Sequence, residues 1–283
     1  MINLRLGGVP EHFNLPIHLA IEDGLFEQRG IEVEWIEFPQ GTGAMTKALR
    51  NDEIDIAIIL TDGIIKDIAN GNPSKIIQNY VSSPLIWGIH VAAKSSFTKL
   101  ADLEHKRVAI SRYGSGSHIM AYVLAKKNNW DTDKLEFVEV QTLQNAVKCL
   151  TNEEADYFMW EHFTTKPLVD SGVFRRVSDF PTPWSSFVIA AADKCISENA
   201  ESLNTFLNTL NVVTEDFKRI PSIDKTLANR YEQKLEDVQK WLSLTRWSQA
   251  QITDDEVNFV QSSLQELKMI DESKNPGFYV AKI

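Results

Sequence analysis

The sequence predicts an α/β protein built from two doubly wound lobes, with the second lobe inserted into the first. The chain has 283 residues, of which 43% are hydrophobic and 24% charged, so it can bury a full core and has the length of about two domains. Short β-branched runs alternate with helical patterns through most of the chain. Two apolar segments, 85–93 and 186–192, bracket the second series of this alternation. We therefore expect lobe 1 to comprise 1–88 and 187–283, and lobe 2 to comprise 89–186.

Both predicted lobes contain strand patterns that are followed by helix patterns. In lobe 1 the predicted strands lie at 2–6, 31–38 and 54–60, and the predicted helices at 15–28, 42–51 and 63–70. In lobe 2 the strands lie at 107–111, 135–140 and 155–160, and the helices at 117–128, 143–150 and 164–170. Such short strands, joined by helices with Gly, Pro and Asn at the joins, are typical of βαβ units and a mostly parallel sheet.

Helical patterns dominate the C-terminal part of the chain. They lie at 203–219, 226–233, 235–244 and 254–269. The first of them has apolar residues at the i, i+3, i+4 spacing of one buried helix face. We expect these helices to pack on lobe 1.

Charge and composition exclude several classes of function. The formal net charge of -10 and the pI of about 5.2 oppose nucleic-acid binding, which requires Lys and Arg to neutralise phosphates, and they also disfavour an anionic membrane surface. The only cysteines are Cys149 and Cys195, and no Cys/His cluster has metal-ligand spacing. We therefore expect no disulfide, no metal and no other cofactor.

The N-terminal residues enter a strand pattern directly, without the features of a secretory signal. No apolar run approaches the roughly 20 residues that span a bilayer. We expect a cytoplasmic protein without membrane insertion, or a periplasmic or lipid-anchored one if an export signal has been removed. We also expect a monomer or a weak dimer.

Candidate ligand-binding residues of lobe 1 lie where its strands pass into helices. In open parallel sheets, ligands bind beyond the carboxyl ends of the strands, where the following helices present free N–H groups. The three joins supply carboxyl, imidazole, amide and hydroxyl groups, one aromatic ring, and glycines that allow close backbone approach. These residues are Glu11, His12, Phe13, Asn14, Gln40, Gly41, Thr42, Gly43, Thr61 and Asp62.

Lobe 2 supplies a second set of candidates. One join combines glycines, hydroxyls and an imidazole at the start of a helix, another carries an aromatic ring and a carboxyl group, and two further tryptophans lie near the crossovers between the lobes. These residues are Tyr113, Gly114, Ser115, Gly116, Ser117, His118, Trp160, Glu161, Trp87 and Trp184. The Gly/Ser loop matches neither the G-x-G-x-x-G nor the Walker nucleotide motif.

Each candidate also has a purely structural explanation. A Gly/Ser turn is often a tight turn with a good N-cap, and tryptophans are often anchors of a core. Asp62 and Glu161 could cap helices instead of contacting a ligand. His12 is the imidazole whose loop lies where a ligand is expected.

Four sequence segments carry a family resemblance. PIHLAIEDGLFEQRGIEV at 16–33 is followed by GTGAMTKAL at 41–49, NDEIDIA at 51–57 and LADLEHKRVAI at 100–110. In this order they resemble the motifs of the nitrate/sulfonate/taurine solute-binding proteins and the related thiamine-pyrimidine synthases. A second set of segments, LTDGI at 60–64, SRYGSGSH at 111–118 and FMWE at 158–161, resembles a subgroup typified by a Candida protein.

The resemblance implies the type II periplasmic-binding-protein fold, in which two crossovers join the lobes. It also implies a ligand held in an interlobe cleft that closes by a hinge motion.

The thiamine-pyrimidine synthases have a cysteine-rich iron motif and a first-loop histidine that serves as a nitrogen source. This chain lacks the cysteine cluster and has Asn14 about where that histidine falls, which disfavours their chemistry.

The acidic candidates indicate the class of ligand. Glu11, Asp62 and Glu161 oppose a bare anion, because burying a carboxylate beside another negative charge is costly. Among the small polar ligands that the family binds, an amino-heterocycle or a zwitterion therefore fits better than a ligand that is only sulfonate-like.

The leading hypothesis is a solute-binding protein without catalytic residues. It would serve either an ABC-type transporter, with a permease as partner, or an intracellular sensor. The alternative is a cytosolic enzyme on the same fold, thiamine-pyrimidine-forming or lyase-type, that uses His12 and a cleft carboxylate as acid and base. We rank lower the effector-sensing half of a transcription regulator, which shares this fold.

Overall fold

The computed structural model describes residues 2–283, and the chain divides into two compact units. Unit 1 runs up to Ser83 and resumes at Trp184–Ile283, whereas unit 2 is the continuous segment Pro84–Pro183. The chain therefore passes between the units twice. The predicted lobe boundaries lie a few residues further along the chain, and the role of the lobes in ligand binding stays a prediction.

Strands and helices alternate through the first part of each unit. In chain order, the strands are β1 (Ile2–Gly8), β2 (Ile31–Glu37), β3 (Ile56–Leu60), β4 (Ser74–Val81), β5 (Ile86–Ala92), β6 (Arg107–Ile110), β7 (Glu136–Glu139), β8 (Tyr157–Glu161), β9 (Phe174–Pro181) and β10 (Phe187–Ala192). The α-helices are α1 (Leu15–Glu22), α2 (Thr42–Arg50), α3 (Thr61–Ala69), α4 (Gly116–Lys127), α5 (Leu143–Thr151), α6 (Lys166–Asp170), α7 (Asp193–Glu198), α8 (Ala200–Asp216), α9 (Ile223–Arg230), α10 (Leu235–Leu244) and α11 (Asp254–Glu266). No helix within residues 2–283 has the length and hydrophobicity needed to cross a membrane.

The sheet of unit 1 has the strand order β2-β1-β3-β10-β4. Strands β1, β2 and β3 are parallel, and β10 runs antiparallel to both β3 and β4. Every residue of β3 is buried, as expected for a β-branched strand in the centre of a sheet that is covered on both faces. Because parallel strands end at the same edge, this topology collects the loops after β1, β2 and β3 beside the start of β10.

The sheet of unit 2 has the related order β7-β6-β8-β5-β9, in which β6, β7 and β8 are parallel and β5 is antiparallel to its neighbours. A buried cluster that includes Ala109, Cys149, Leu150, Phe158 and Phe174 joins the sheet to α5. The carboxyl ends of β6 and β8 consequently lie at one edge, next to the start of β5.

Two strands, β4 and β9, are absent from the elements that the sequence predicts. Both lie at the edge of their sheet, and both interrupt their apolar residues with polar ones, so neither has the uninterrupted β-branched run of a central strand. The C-terminal segment covers the free edge of β4: the amide of Ile76 donates to the carbonyl of Tyr279 at 2.8 Å, and Val81 forms a bridge with Trp247. This cover explains why an edge strand is almost entirely buried.

The two units share a salt-bridge motif that links a parallel strand, β1 or β6, to the residue just before the strand beside it, β3 or β8. In unit 1, the Arg5 amide and guanidinium donate to the Asp55 carboxylate at 2.8–3.0 Å. In unit 2, the Arg107 amide and guanidinium donate to Asp156 at 2.8–3.1 Å. In each unit the guanidinium also donates to the carbonyl of a left-handed residue, Asp52 or Glu153, that precedes the carboxylate by three positions. The repeated geometry fixes β1 and β6 to the loops that lead into β3 and β8, the strands beside them.

We expect Asp156→Asn to lower the free energy of unfolding by about 1–3 kcal/mol, because an amide cannot accept all the hydrogen bonds that Arg107 donates. Burial by itself raises the pKa of Asp156, but the hydrogen bonds from Arg107 outweigh burial and leave this pKa below its ordinary value of 3.8. The stabilisation should therefore be present above about pH 4 and fade as the pH falls further.

Urea unfolding of the wild type and the variant, at about pH 7 and about pH 3, measures this difference. Asp131→Asn is the matched control, since Asp131 is exposed and its ion pair is with the exposed Lys134. Equal losses in the two variants would contradict a structural role for the motif.

Candidate functional site

The candidate site of unit 1 lies at the edge of the sheet where β1, β2 and β3 end. Gly8, the last residue of β1, pairs with Glu37, the last residue of β2. Leu60, the last residue of β3, pairs with Phe187, the first residue of β10. The three predicted joins of lobe 1 and the segment before β10 therefore meet at one edge.

His12 lies in the loop after β1, in a short 3-10 helix, and is buried among aromatic rings. Its ring centroid lies 4.1 Å from that of Trp241 and 5.9 Å from that of Tyr231. Burial lowers the pKa of His12 to about 3, so the ring is neutral at physiological pH. Its Nε2 is buried without a hydrogen-bond partner.

Side-chain hydrogen bonds to backbone carbonyl groups hold the residues beside His12 in place. The carbonyl of Phe13 accepts from the Tyr80 hydroxyl at 2.9 Å and from the Trp247 indole at 3.1 Å. The side-chain nitrogen Nδ2 of Asn14 donates to the carbonyl of Val9 at 2.8 Å. Asn14 is fully buried, and its Oδ1 has no partner. Glu11, in contrast, is only partly buried.

Thr61 and Asp62 open α3 directly after β3. The Thr61 amide donates to the carbonyl of Ser186 at 3.2 Å, which ties the start of this helix to the segment before β10. Both side chains are buried, and Thr61 Oγ1 and Asp62 Oδ2 have no hydrogen-bond partner. A further link runs through Phe13, whose ring lies 5.0 Å from that of Phe187.

The Asp62 carboxyl is the most perturbed acid of unit 1. Burial raises its pKa from 3.8 to about 6, and the nearby backbone N–H groups, the Trp184 indole and Lys66 only partly oppose this effect. Trp184 is itself buried and lies two residues before Ser186. The sequence predicted both Asp62 and Trp184 as candidates, and the structure brings them together.

The second join of unit 1 is more exposed. Gln40 is exposed, and Gly41 has a φ of 74°, a left-handed conformation that glycine adopts without strain. Thr42 is buried against the start of α3, where a Cβ on Gly63 would lie 2.3 Å from Thr42 Cγ2. A glycine is therefore needed at Gly63 so that α2 and α3 can begin side by side. Gly43, one residue further, is partly buried.

In unit 2 the Gly/Ser loop uses its own hydroxyls. Ser115 Oγ donates to the Arg112 carbonyl at 2.7 Å and caps α4 by accepting from the His118 amide at 3.4 Å. Ser117 Oγ accepts from the Ser111 amide at 3.0 Å. The His118 ring accepts from the Gly114 amide at 3.0 Å.

This arrangement is that of a tight turn with an N-cap, and a ligand role for the loop stays a prediction. Gly116 is buried in the first turn of α4, whereas Tyr113 is 63% exposed.

Glu161 ends β8 in unit 2 and is also buried. Burial raises its pKa to about 7, although one carboxylate oxygen accepts from the Thr164 amide at 2.6 Å. Trp87, the strand neighbour of Glu161, is buried with an unpartnered indole nitrogen. Trp160 instead stacks on Phe158, with centroids 5.3 Å apart, and belongs to the packing of unit 2.

Sequence patterns did not indicate several residues of the unit 1 site. Tyr231 and Trp241 reach His12 from the C-terminal helical region, and Ser186 reaches Thr61 from the second crossover. These contacts join residues that are far apart in the chain, and no local motif marks them. Among residues 2–283, no group of His, Cys, Asp or Glu has the arrangement of a metal site.

The buried Asp62 carboxyl makes a prediction about stability. Because the folded state raises its pKa from 3.8 to about 6, folding favours the protonated acid, and the free energy of unfolding should fall as the pH rises through this window. We expect Asp62→Asn to remove this loss and to be more stable than the wild type at about pH 8, by roughly 2–3 kcal/mol.

Urea unfolding at about pH 5 and about pH 8 tests this expectation. Asp255→Asn is the matched control, because Asp255 is likewise the second residue of a helix but is exposed. If the free energy of unfolding depends on pH in the same way in the wild type and in Asp62→Asn, Asp62 is not the buried acid with a raised pKa described above.

Comparison with known proteins identifies others that share this architecture. The family model described as Ca3427-like PBP matches residues 87–180. The solved structure of the Candida albicans CA3427 gene product, described as defining a family with the generic periplasmic binding protein fold, is 25% identical with a TM-score of 0.91, over 100% of this chain and 97% of that chain. Comparison with curated proteins gave no match.

Two further solved structures share the fold at lower identity. The alkanesulfonate-binding protein SsuA from Xanthomonas axonopodis pv. citri, bound to MOPS, has a TM-score of 0.85 and 18% identity, over 100% of this chain and 99% of that chain. The periplasmic nitrate-binding protein NrtA from Synechocystis PCC 6803 has a TM-score of 0.75 and 14% identity, over 98% of this chain and 84% of that chain. The predicted resemblance and fold class are confirmed: the chain has the periplasmic-binding-protein fold, and over residues 87–180 it matches the Ca3427-like PBP family.

Proposed function

We propose that the chain is a solute-binding protein, which holds a small polar organic ligand at the loops that follow its strands and does no chemistry on it. The observation that carries this proposal is the set of buried polar atoms without partners at one edge of unit 1. These atoms are His12 Nε2, Asn14 Oδ1, Thr61 Oγ1 and Asp62 Oδ2.

Unpartnered buried atoms are costly, which is why their clustering is informative. A buried polar group without a hydrogen bond destabilises the folded state by about 1–3 kcal/mol. Most such groups in folded proteins are paired, and clusters of exceptions are typical of binding sites. A ligand with complementary groups would satisfy these atoms, so binding would recover free energy that folding has lost.

The alternative of an enzyme that uses His12 as a general base has weaker support. A general base works best when its pKa is near the working pH. Burial lowers the pKa of His12 to about 3, so its ring is a poor base, and its contacts with Trp241 and Phe13 are those of a packed side chain. Glu161, whose pKa is raised to about 7, is better suited to proton transfer, but its carboxylate already accepts from the Thr164 amide at 2.6 Å.

The structural neighbours guide the rest of the proposal. Proteins that bind alkanesulfonate and nitrate share the fold, so transport or sensing of a small solute is the role that fits best. A transport role would require an ABC-type permease as partner and a periplasmic or lipid-anchored location, whereas a sensor would be cytoplasmic. Closure of the two lobes on the ligand by a hinge motion is part of this proposal.

Thr61→Val provides a direct test of the site. The methyl group replaces a buried hydroxyl that has no partner, so we expect the stability of the free protein to stay the same or to rise. In scanning fluorimetry with nitrate, alkanesulfonates, amino acids, amino-pyrimidines and polyamines, at least one compound should stabilise the wild type, and its affinity for Thr61→Val should be about fivefold or more weaker.

Thr209→Val is the control, because Thr209 is also buried in unit 1 but its hydroxyl donates to the Thr205 carbonyl at 2.7 Å. This variant should lose stability yet bind the compound as the wild type does. The proposal is wrong if no compound stabilises the protein, or if Thr61→Val binds as tightly as the wild type.

A further inference from the structure

The unpartnered atoms of unit 1 indicate which chemical group of a ligand fits among them. The Asn14 amide nitrogen already donates to the Val9 carbonyl at 2.8 Å, so the free group of this side chain is the oxygen, which can only accept. Asp62 Oδ2, when ionised, can also only accept. Both of these free atoms are therefore acceptors, whereas the free Thr61 hydroxyl can also donate.

The two acceptors belong to neighbouring parts of the sheet edge. Asn14 follows β1 and Asp62 follows β3, and these strands pair directly, with Gly7 beside Ala57. The ring contact between Phe13 and Phe187 and the pairing of Phe187 with Leu60 connect the two loops. The loops that carry the two oxygens therefore lie at the same edge of the sheet.

We propose that the ligand presents a protonated nitrogen with two or more N–H groups, as in an alkylammonium or a protonated amino-heterocycle, to Asp62 and Asn14. This inference rests on the proposed function and names the class of ligand.

Charge supports the same conclusion. The Trp184 indole and Lys66, one turn along α3, lower the pKa of Asp62, but burial outweighs them and holds this pKa at about 6. The carboxyl is therefore mostly ionised at neutral pH while it is buried. A cationic nitrogen would supply both the charge and the donors that the carboxylate lacks.

The Trp184 indole N–H acts on this carboxylate and lowers its pKa without overcoming the effect of burial. A bare anion such as nitrate or a simple sulfonate has only acceptor oxygens. It would place these against Asn14 Oδ1 and Asp62 Oδ2 and would repel the carboxylate.

Matched pairs of probes test the inference. Taurine, ethanolamine and putrescine carry an ammonium group, and isethionate, ethylene glycol and 1,4-butanediol carry a hydroxyl at each corresponding position. Each probe is titrated by scanning fluorimetry and calorimetry at about pH 7.5, with sodium chloride to match ionic strength, and nitrate is included as a bare anion. We expect at least one ammonium compound to bind about tenfold or more tightly than its hydroxyl counterpart.

The variant Asp62→Asn locates the effect. It should bind the ammonium compound about tenfold or more weakly than the wild type, while its affinity for the hydroxyl counterpart changes by less than about threefold. Asp255→Asn removes an exposed carboxylate from the same position of another helix and should bind as the wild type does. The free energy of unfolding of Asp62→Asn, measured at neutral pH, shows independently of ligand binding that the variant is folded.

The outcomes separate this inference from the function on which it rests. If nitrate, isethionate or a neutral probe binds and no ammonium compound binds more tightly than its counterpart, the protein is a binder of small solutes but the ligand class is wrong. An ammonium preference that persists in Asp62→Asn also overturns the inference. If no probe and no compound of the wider screen binds, both proposals fail.

Discussion

The return of the chain through β10 is the constraint on which the candidate site depends. β10 enters the sheet between β3 and β4 and runs antiparallel to both, so its first residue lies at the edge where the parallel strands end. This register places Phe187 beside Leu60, with its ring centroid 5.0 Å from that of Phe13, and it brings the Ser186 carbonyl to the Thr61 amide. The site is therefore assembled by strand pairing, which is stronger and more specific than contacts between loops alone.

The same edge shows how a binding site can oppose stability. Thr61 Oγ1 and Asp62 Oδ2 are buried without hydrogen-bond partners. Burial keeps the pKa of Asp62 near 6, despite the opposing effects of backbone N–H groups and the Trp184 indole, and it makes ionisation unfavourable to folding. By contrast, the Asp55 and Asp156 carboxylates, which lie just before β3 and β8, accept hydrogen bonds from Arg5 and Arg107. Stabilising ion pairs and unpaired acceptors therefore lie at different positions of the strands.

Local patterns in the sequence were sufficient for most of the fold. The β-branched run before Leu60 predicted a strand and the run before Ala192 an apolar segment, and both form fully buried strands inside the sheet of unit 1. The edge strands β4 and β9 were missed because their burial depends on segments distant in sequence, such as the C-terminal residues that cover Ile76. The shared Arg–Asp motif was missed for a similar reason, since its partners are about fifty positions apart.

By itself, the sequence determined the two-unit α/β fold, its family resemblance and the loops in which a ligand is expected, because strand and helix periodicity and helix-start residues are local properties. Only the tertiary structure decided which candidate groups are free. The Ser115 and Ser117 hydroxyls are engaged within their own loop, whereas Asn14 Oδ1 and Asp62 Oδ2 are buried without hydrogen-bond partners. The physical reason is that hydrogen-bond satisfaction and burial are set by neighbours in space, and these come from remote parts of the chain.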